Sequence, residues 1–327
     1  MKAFIHEFGE LKIGEVNEPV ASKGEVVVKL LTAGLNRRDL YIPNRRGDEA
    51  DALVLGSDGA GVVESIGDGV TGFSVGDEVI INPALRWEIN SVAPPAGFDI
   101  LGMPDNGTFA EKIAISSEQV ELKPKHLTWE EAGVLALSAL TGYRALFTKG
   151  NLKEGETVFI PGAGSGVATY LISFAKNVGA RVIVTSRSED KRQQALVLGA
   201  DIALDTNGDW KKELEEETID LVIDSVGRAT FNRSLEVLKK GGRIVVFGAT
   251  TEDTVELDLR NFFYSQFQLL GSTMGSREEL REMIAHIEKH ETRPVVDKTF
   301  TLDEAVEAFD YVEQSKNFGK VAFRISE

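Results

Sequence analysis

The chain has 327 residues, 42% of them hydrophobic and 27% charged, with a formal net charge of −16, which suits a soluble globular protein of about two domains and disfavours nucleic-acid and anionic-membrane partners. No cysteine occurs, so disulfides and thiolate metal sites are excluded and a reducing compartment such as the cytoplasm is favoured. The start of the chain lacks the apolar core of a signal peptide, and the most apolar stretch, 132–140, is far short of the ~20 residues that span a bilayer.

The first third of the chain alternates short apolar runs with Gly, Pro and Asn, a pattern that predicts hairpin strands. Residues 36–40 predict a short helix that ends at Pro43. The glycine-rich stretch 55–80 predicts tight turns between strands of a small antiparallel barrel. Residues 83–106 hold four prolines and predict a surface excursion before a strand at 109–115.

From Thr128 the pattern changes to alternating strands and helices. Thr128 and Glu131 form a predicted capping box that opens a helix through Phe147. The rhythm that follows indicates a parallel sheet covered by helices, so the fold class is α/β. Its predicted elements are 157–160, 167–178, 181–185, 190–198, 201–204, 210–216, 219–224, 229–238, 243–247 and 267–270. Helices at 278–288 and 303–314 and a strand at 320–325 close the chain.

Residues 156–187 predict a dinucleotide-binding βαβ unit of the Rossmann type. A β-branched strand leads into a glycine turn, an amphipathic helix and a second strand within about 30 residues. Such a turn lets backbone N–H groups approach a pyrophosphate at the positive end of a helix. The residues expected at the cofactor here are Gly162, Ala163, Gly164, Ser165, Gly166 and Val167. Val167 stands where the motif has its last Gly, and the small Ala168 follows it.

The whole chain resembles the medium-chain dehydrogenase/reductase (MDR) superfamily, whose members are alcohol dehydrogenase-like oxidoreductases. Four passages carry the resemblance: LGSDGAGVVESIGDGVTGFSVGDEV at 55–79, GTFAEKIAI at 107–115, SALTGYRAL at 138–146, and the glycine turn followed by DSVG at 224–227 and VVFGA at 245–249. The resemblance implies a GroES-like β-barrel catalytic domain at 1–123 and 272–327. It implies a Rossmann-type, doubly wound NADP(H)-binding domain at 124–271, with the active site in the cleft between the domains.

The resemblance also locates the positions at which zinc relatives bind their catalytic metal. Asn36 takes the place of the first ligand, a Cys; Ser57 takes that of a His; Leu137 takes that of the third ligand. An amide, a hydroxyl and an alkyl chain do not hold zinc at neutral pH. The lobe that carries a structural zinc in relatives, roughly 86–104, keeps its length but contains no Cys. We therefore expect a zinc-free member, most similar to the quinone oxidoreductase branch.

One other pair of residues suggests a metal. His286 and His290 stand at i and i+4 on a predicted helix, with no third ligand near in sequence, so they are either part of a metal site or two solvent-exposed histidines. The second interpretation is favoured, and no metal site is predicted.

The end of the second strand of the βαβ unit decides which nicotinamide is expected. An acidic residue there binds the ribose 2′-hydroxyl of NAD, whereas this chain has Ser186 and Arg187, with Lys191 one turn further. A hydroxyl beside a guanidinium suits a 2′-phosphate. The alternative is that these cations only solvate the start of a helix. The pattern favours NADP(H).

Without zinc, hydrogen-bond donors must stabilise the charge that develops on the acceptor, and a conjugated acceptor helps. By resemblance Asn36 lies at the nicotinamide and substrate, and Tyr41 replaces a relay His and is the candidate proton donor; the alternative is that Tyr41 only packs. Asp39 either orients its neighbours or caps a short helix. Further nicotinamide contacts implied by the resemblance are Thr141, Phe247, Gly248, Ala249, Thr273 and Met274. Asp224 is as consistent with a structural role as with a functional one.

The sequence thus predicts a zinc-independent, NADPH-dependent oxidoreductase that transfers a hydride to quinones or α,β-unsaturated carbonyls. One alternative is an NADPH-dependent aldehyde or alcohol reductase; another is a non-catalytic NADPH-binding sensor. The expected partners are a small carbonyl or quinone substrate and a second copy of the chain, paired through an edge strand at 243–247 or 267–270. Neither nucleic acid nor a membrane is expected as a partner.

Overall fold

The computed structural model describes residues 1–48 and 51–326. The chain divides into two compact units, which are described separately. The first unit comprises Met1–Leu140 and Gly275–Glu327, and the second comprises Thr141–Met274. These boundaries count residues 124–140 with the first unit, whereas the sequence interpretation assigned them to the nucleotide-binding domain.

The first unit is built mainly of antiparallel strands. Its strands are β1 (Lys2–Glu7), β2 (Glu10–Glu15), β3 (Glu25–Leu35), β4 (Leu53–Val54), β5 (Asp58–Ile66), β6 (Glu78–Ile81), β7 (Ala84–Leu85), β8 (Asp99–Ile100), β9 (Lys112–Ser116), β10 (Val120–Leu122), β17 (Val296–Thr301) and β18 (Lys320–Arg324). Its helices are α1 (Ile42–Arg46), α2 (Trp129–Gly133), α9 (Arg277–His290) and α10 (Ala305–Glu313), and α3 (Ala136–Tyr143) begins in it. Three-residue 3₁₀ turns lie at Ser117–Gln119 and Leu302–Glu304.

Strand β3 is the centre of this unit. Within the described residues, its main sheet runs β10-β6-β5-β3-β18-β17, and β9 also pairs with β3. The carboxyl end of β3 lies antiparallel to β18, with Leu35 opposite Val321. This pairing places the start of the C-terminal strand next to the residue at which β3 ends. A separate sheet has the order β2-β1-β4, and β7 and β8 form a short ribbon.

A cluster of phenylalanines forms the core beside β18. The rings of Phe109 and Phe323 are 4.8 Å apart, and that of Phe4 lies 5.2 Å from Phe309, in edge-to-face geometry. All four side chains are buried. Burial of each such ring stabilises the fold by roughly 1.5–3 kcal/mol. The C-terminal helix and strand are therefore integral to the first unit.

The second unit is a parallel sheet covered by helices. Its strands are β11 (Thr157–Pro161), β12 (Arg181–Ser186), β13 (Ile202–Asp205), β14 (Ile219–Asp224), β15 (Leu238–Val246) and β16 (Gln268–Gly271). Its helices are α4 (Gly166–Asn177), α5 (Glu189–Leu198), α6 (Trp210–Glu213), α7 (Arg228–Val237) and α8 (Leu259–Ser265), and a π-helical turn spans Arg144–Lys149. Within residues 141–274, which are all described, the strand order is β13-β12-β11-β14-β15-β16. This is the doubly wound order that the sequence predicted.

Two helix predictions need correction. The helix expected from Thr128 to Phe147 is interrupted, although its predicted capping box at Thr128 is confirmed. α2 ends at Gly133, where a side chain would collide with Thr32, and α3 starts at Ala136. The helix at 36–40 does not end at Pro43, because Pro43 stands in the first turn of α1, where its missing N–H costs nothing.

The excursion at 83–106 is an ordered lobe whose two arms are joined by the β7–β8 pairing and by one arginine. Arg86 Nε donates to the carbonyl oxygen of Gly97 at 2.7 Å, and its Nη atoms lie 2.5 Å from Asp99 and 3.3 Å from Asp105. Trp87 beside it is buried. Arg86 thus joins the two arms of the lobe, in which relatives of the resembled family hold a structural zinc.

We expect Arg86→Ala to loosen this lobe selectively, because three contacts across it are lost together. Hydrogen–deuterium exchange of the amides at 97–105 should accelerate by about tenfold, which corresponds to ~1.4 kcal/mol of local stability. The matched control is Arg324→Ala, which removes an exposed arginine whose ion pair is with Glu130 at 3.2 Å. Equal exchange of the lobe in both variants would show that Arg86 does not hold it.

Candidate nucleotide site and polar cluster

The glycine turn of the second unit has the geometry expected for phosphate binding. Gly162 has a φ of +85°, a conformation that L side chains rarely adopt, and a Cβ there would lie 3.2 Å from Val226. The Ser165 side chain caps α4 by accepting from the N–H of Ala168 at 3.1 Å. Gly166 and Val167 open this helix of 12 residues, so its first backbone N–H groups face the turn. These residues fit a dinucleotide pyrophosphate.

A second turn, which follows β14, packs against the glycine turn through Val226. Asp224 holds this second turn by hydrogen bonds. The Asp224 carboxylate accepts from the N–H groups of Val226 and Gly227 at 2.8 and 2.9 Å and from the Thr230 hydroxyl at 2.6 Å. Burial raises the pKa of Asp224, and these hydrogen bonds oppose that shift. Asp224, whose role the sequence left open, therefore fixes the turn that Gly162 approaches.

Three of the residues expected at the nicotinamide follow β15 and join the same turn. The N–H of Phe247 donates to the carbonyl oxygen of Asp224 at 3.2 Å. The N–H groups of Thr250 and Thr251, just beyond Gly248 and Ala249, donate to the carbonyl oxygens of Ser225 and Val226. The structure thus brings Phe247, Gly248 and Ala249 to the carboxyl end of the sheet, beside the glycine turn.

The end of β12 carries the residues predicted to select the nicotinamide. Ser186 is buried and its hydroxyl accepts from the N–H of Ser188 at 3.2 Å. Arg187 is exposed. The Lys191 side chain lies over the glycine turn, since a Cβ on Gly164 would be 3.1 Å from Lys191 Nζ. Arg192 is held by Ser186 O and Glu189. Arg187 and Lys191 are the cations that the sequence predicted at this end of the strand.

Thr141 and Met274 lie together at the two ends of the second unit's sequence. The Thr141 hydroxyl is 3.7 Å from Met274 Sδ, and both residues are buried. Met274 has a φ of +40°, whereas Thr273 beside it is exposed. The structure thus brings two of the six residues predicted to contact the nicotinamide into contact with each other.

In the first unit, the candidate catalytic residues lie where β3 ends. Asn36 follows β3 and precedes a 3₁₀ turn, Arg37–Tyr41. Asp39 Oδ2 accepts from the backbone N–H of Asn36 at 2.9 Å, so Asp39 caps this turn. Its Oδ1 has no hydrogen-bond partner among the described residues, and Arg38 Nη1 lies 3.7 Å away. Tyr41, in contrast, is 41% exposed.

Asp39 is fully enclosed by protein, and this changes its acidity. Burial raises the pKa of the Asp39 carboxyl to about 6, while the Arg38 guanidinium and the hydrogen bond from Asn36 oppose the shift. Asp39 and Tyr41 therefore differ in their access to solvent, although they are only two residues apart. Asp39 acts inside the protein, and Tyr41 reaches solvent.

A buried polar group that the sequence did not reveal surrounds Asn36. We call Asn36, Asp58, Ser138 and Lys320 the Lys320 cluster. Asn36 Oδ1 accepts from Lys320 Nζ at 2.5 Å, and Asn36 Nδ2 donates to Asp58 Oδ2 at 2.9 Å. Asp58 Oδ1 also accepts from the backbone N–H of Leu137 at 2.7 Å. Lys320 lies 284 residues from Asn36, and no local pattern marks it, so sequence reasoning missed it.

The residues at the zinc-ligand positions do not fit zinc. The Asn36 oxygen already faces an ammonium, which would repel a divalent cation. The Ser57 hydroxyl accepts from Arg38 at 2.6 Å and donates to the carbonyl oxygen of Leu101 at 2.7 Å. Leu137 contributes its backbone N–H, a donor that cannot bind a cation. An ammonium, a guanidinium and a carboxylate of the protein already engage these three residues, so they do not fit zinc.

The histidine pair on α9 also lacks further metal ligands among the described residues. The rings of His286 and His290 lie 4.6 Å apart. Burial, with a smaller contribution from His290, lowers the pKa of His286 to about 4. Across residues 1–48 and 51–326, no group of three or more His, Cys, Asp or Glu side chains is arranged to hold a metal. Over the same residues, no helix has the length and apolar character needed to cross a membrane.

Two family models match the chain, one in each half. The alcohol dehydrogenase GroES-like domain matches residues 22–125, and the zinc-binding dehydrogenase model matches residues 166–289. The sequence-based expectation of a GroES-like unit and a Rossmann-type unit is thereby confirmed.

Curated relatives cover nearly the whole chain. A zinc-type alcohol dehydrogenase-like protein, YogA, of Leptosphaeria maculans is 32% identical over 96% of this chain and 94% of its own. An acryloyl-coenzyme A reductase of Metallosphaera sedula is 30% identical, with 98% and 99% covered. A 2-methylene-furan-3-one reductase of Solanum lycopersicum is also 30% identical, with 98% and 78% covered.

Solved structures give the same result. An NAD-dependent alcohol dehydrogenase is 33% identical, covers all of both chains and has a TM-score of 0.91. The 2-octenoyl-CoA carboxylase reductase CinF, in complex with NADP and 2-octenoyl-CoA, is 28% identical, covers 96% of this chain and 82% of its own, and has a TM-score of 0.86. The chain therefore belongs to the medium-chain dehydrogenase/reductase superfamily and is an oxidoreductase.

Proposed function

We propose that the protein is an NADPH-dependent reductase of α,β-unsaturated carbonyl compounds that works without zinc. The observation that carries this proposal is the Lys320 cluster, in which the residue at the first zinc-ligand position is bonded to a buried ammonium. Without a Lewis acid there, hydrogen-bond donors and delocalisation within the substrate must stabilise the developing charge. A carbonyl conjugated with a C=C bond delocalises that charge as an enolate.

The names of the relatives support the same substrate class. Acryloyl-CoA, 2-octenoyl-CoA and 2-methylene-furan-3-one, which those names mention, all carry a C=C bond conjugated with a carbonyl. Quinones share this conjugation and remain within the proposed class. Aldehydes lack it unless they are themselves unsaturated, so a general aldehyde or alcohol reductase is the second enzyme hypothesis.

The reaction needs a hydride at the β-carbon and a proton at the α-carbon. When bound, the reduced nicotinamide supplies the hydride. We infer that Tyr41 supplies the proton, because its phenol hydroxyl is a donor that reaches solvent, whereas Asp39 is fully buried. Asn36 and Asp39 then act by positioning the turn that carries Tyr41, since both are bonded within the protein.

We infer that the cofactor is NADP(H). The turn from Gly162 to Ser165 and the first N–H groups of α4 suit the pyrophosphate. Ser186, Arg187 and Lys191 suit a 2′-phosphate, because they offer a hydroxyl and two cations and no carboxylate. The residues we assign to the nicotinamide end are Thr141, Phe247, Gly248, Ala249, Thr273 and Met274.

We also infer that two copies associate through the edge of the parallel sheet. β16 pairs on one side with β15 and is the last strand in the described order of this sheet. Leu269 on this strand is 47% exposed, and Phe263 and Tyr264 on the preceding helix are also exposed. An unpaired edge with apolar neighbours favours pairing with a second chain.

Stopped-flow oxidation of NADPH with an enone, an enoyl-CoA, a quinone and a saturated aldehyde tests the proposed function. We expect turnover with conjugated acceptors that exceeds turnover with the saturated aldehyde by at least tenfold. Turnover that is fastest with saturated aldehydes would favour the second enzyme hypothesis. NADPH binding without oxidation by any acceptor would instead indicate a sensor.

The same assay tests the proton donor. Tyr41→Phe should lower kcat by about 10²-fold, the lower end of what a positioned general acid contributes. Tyr311→Phe is the matched control, because this tyrosine of the same unit donates its hydroxyl to Asp297 at 2.8 Å and has no assigned role in the reaction. An unchanged kcat in Tyr41→Phe would remove Tyr41 from the mechanism.

Cofactor choice follows from the end of β12. Arg187→Ala should raise the KM for NADPH by about tenfold and leave the KM for NADH unchanged, since only the 2′-phosphate is recognised there. Lys240→Ala removes another exposed cation of the same unit and should change neither value. One structural relative is named an NAD-dependent alcohol dehydrogenase. A preference of this wild-type protein for NADH would contradict the assignment of NADP(H).

The proposed dimer is tested by light scattering on the eluting protein. The wild type should show twice the chain mass of 35.6 kDa. Leu269→Lys should give the single-chain mass, because a charge would have to be buried at the edge. Val197→Lys, on an 89% exposed position of the same unit, should leave the mass unchanged. A monomeric wild type would end this proposal.

A further inference from the structure

Lys320 is a buried ammonium for which the proposed reaction has so far given no role. It is 3% exposed and begins β18. Four oxygens of the described residues surround its Nζ: Asn36 Oδ1 at 2.5 Å, Leu35 O at 3.1 Å, Ser138 Oγ at 3.2 Å and Asp58 Oδ2 at 3.5 Å. An ammonium has three N–H donors, so this oxygen cage uses all of them.

Burial removes the Lys320 ammonium from water, and only its polar partners in the protein offset the cost of that lost hydration. Burial lowers the pKa of Lys320, and the nearby carboxylates of Asp58 and Asp39 oppose that shift. Asp58 is itself completely buried. Well-packed apolar residues are often at least as stabilising as a buried ion pair of this kind. Stability of the fold alone therefore does not explain why a charge pair stands here.

The ammonium does determine the orientation of the Asn36 amide. Asn36 Oδ1 faces two donors, Lys320 Nζ and the Ser138 hydroxyl at 3.3 Å. Asn36 Nδ2 faces two acceptors, Asp58 Oδ2 at 2.9 Å and Gly34 O at 3.3 Å. Each end of the amide thus has partners of one kind, and a reversed amide would place its NH₂ group against the ammonium.

Asn36 is also the residue from which the turn with Asp39 and Tyr41 begins. Its backbone N–H donates to Asp39 Oδ2, and its carbonyl oxygen accepts from the N–H of Asp39, both at 2.9 Å. A contact chain therefore runs from Lys320 through Asn36 to Asp39, two residues before Tyr41. While Lys320 and Asp58 are both charged, their contacts with Asn36 exclude the reversed orientation of its side-chain amide.

We propose that Lys320 is a positioning residue for the reduction: together with Asp58 it fixes the Asn36 amide and so holds the turn that carries Tyr41. This inference rests on the proposed function for its kinetic consequence, but the positioning itself is a property of the first unit. Lys320 acts through Asn36 and is not assigned to the substrate.

The decisive variant is the neutral pair Lys320→Met with Asp58→Asn. Lys320→Met alone leaves a buried carboxylate without its cation and is expected to lower the unfolding temperature sharply. The double variant removes both charges and should restore the unfolding temperature. If the pair is only structural, activity returns with stability. If Lys320 positions Asn36, the double variant stays at least tenfold lower in kcat for the enone, with the KM for NADPH within twofold of wild type.

Two further variants keep the test decisive. Lys320→Arg retains the cation and should recover kcat to within about fivefold of the wild type. Lys123→Met is the matched control, since Lys123 is another largely buried lysine of the first unit, paired with Glu78 at 3.0 Å. It should leave kcat within twofold. A stable double variant with wild-type kcat would overturn the proposal, and so would a Lys320→Arg variant no more active than the double variant.

Hydrogen–deuterium exchange at residues 36–41 supplies a readout that does not need turnover. We expect exchange in this segment to accelerate at least fivefold in the double variant and to stay unchanged in Lys123→Met. If the wild type reduces no acceptor, the proposed function fails while this exchange still decides the positioning role. Unchanged exchange at 36–41 in a stable double variant would overturn that role.

Discussion

A charge can remain inside a protein only if its partners replace the water that it lost. Moving an ammonium or a carboxylate into the interior costs several kcal/mol even after relaxation. In the first unit, Lys320 and Asp58 meet this condition through each other and through contacts from two further chain segments, at Asn36 and at residues 137–138. The backbone pairing of β18 and of β5 with β3 brings Lys320 and Asp58 to the end of β3, where Asn36 follows. The architecture of the C-terminal strand and the polar cluster are therefore one arrangement, and neither is explained without the other.

The second unit applies the same constraint to a turn. Asp224 is buried at the end of β14, where two backbone N–H groups and a threonine hydroxyl satisfy its carboxylate. Asp39 does the corresponding work at the end of β3, although one of its oxygens has no hydrogen-bond partner among the described residues. In both units a buried carboxylate thus fixes the backbone that follows a strand. We propose binding and catalysis at these two places, because functional residues are commonly carried on loops that a rigid scaffold positions.

The contrast between these two sites shows what the sequence can predict. The glycine turn, α4 and β12 follow one another within about 30 residues, so their periodicity and turn residues predicted the element order directly. Lys320 has no such signal, because its partner Asn36 lies 284 residues away and lysine is usually exposed. The close approach of Gly133 to Thr32, where the predicted helix is interrupted, was missed for the same reason, since Thr32 lies on a distant strand. Local chemistry was predictable, and contacts between distant segments were not.

Two nitrogen cations engage regions that the resemblance aligns with the metal sites of zinc-dependent relatives. Arg86 joins the arms of the 86–105 lobe, and Lys320 holds Asn36 at the first catalytic ligand position. The two replacements are not equivalent in chemistry. An arginine substitutes well for a structural ion, because holding two loop arms together requires only fixed donors. A lysine whose three donors are already engaged has no open position for a substrate oxygen, whereas catalytic zinc keeps one. This difference is the reason for proposing a substrate that delocalises its own charge.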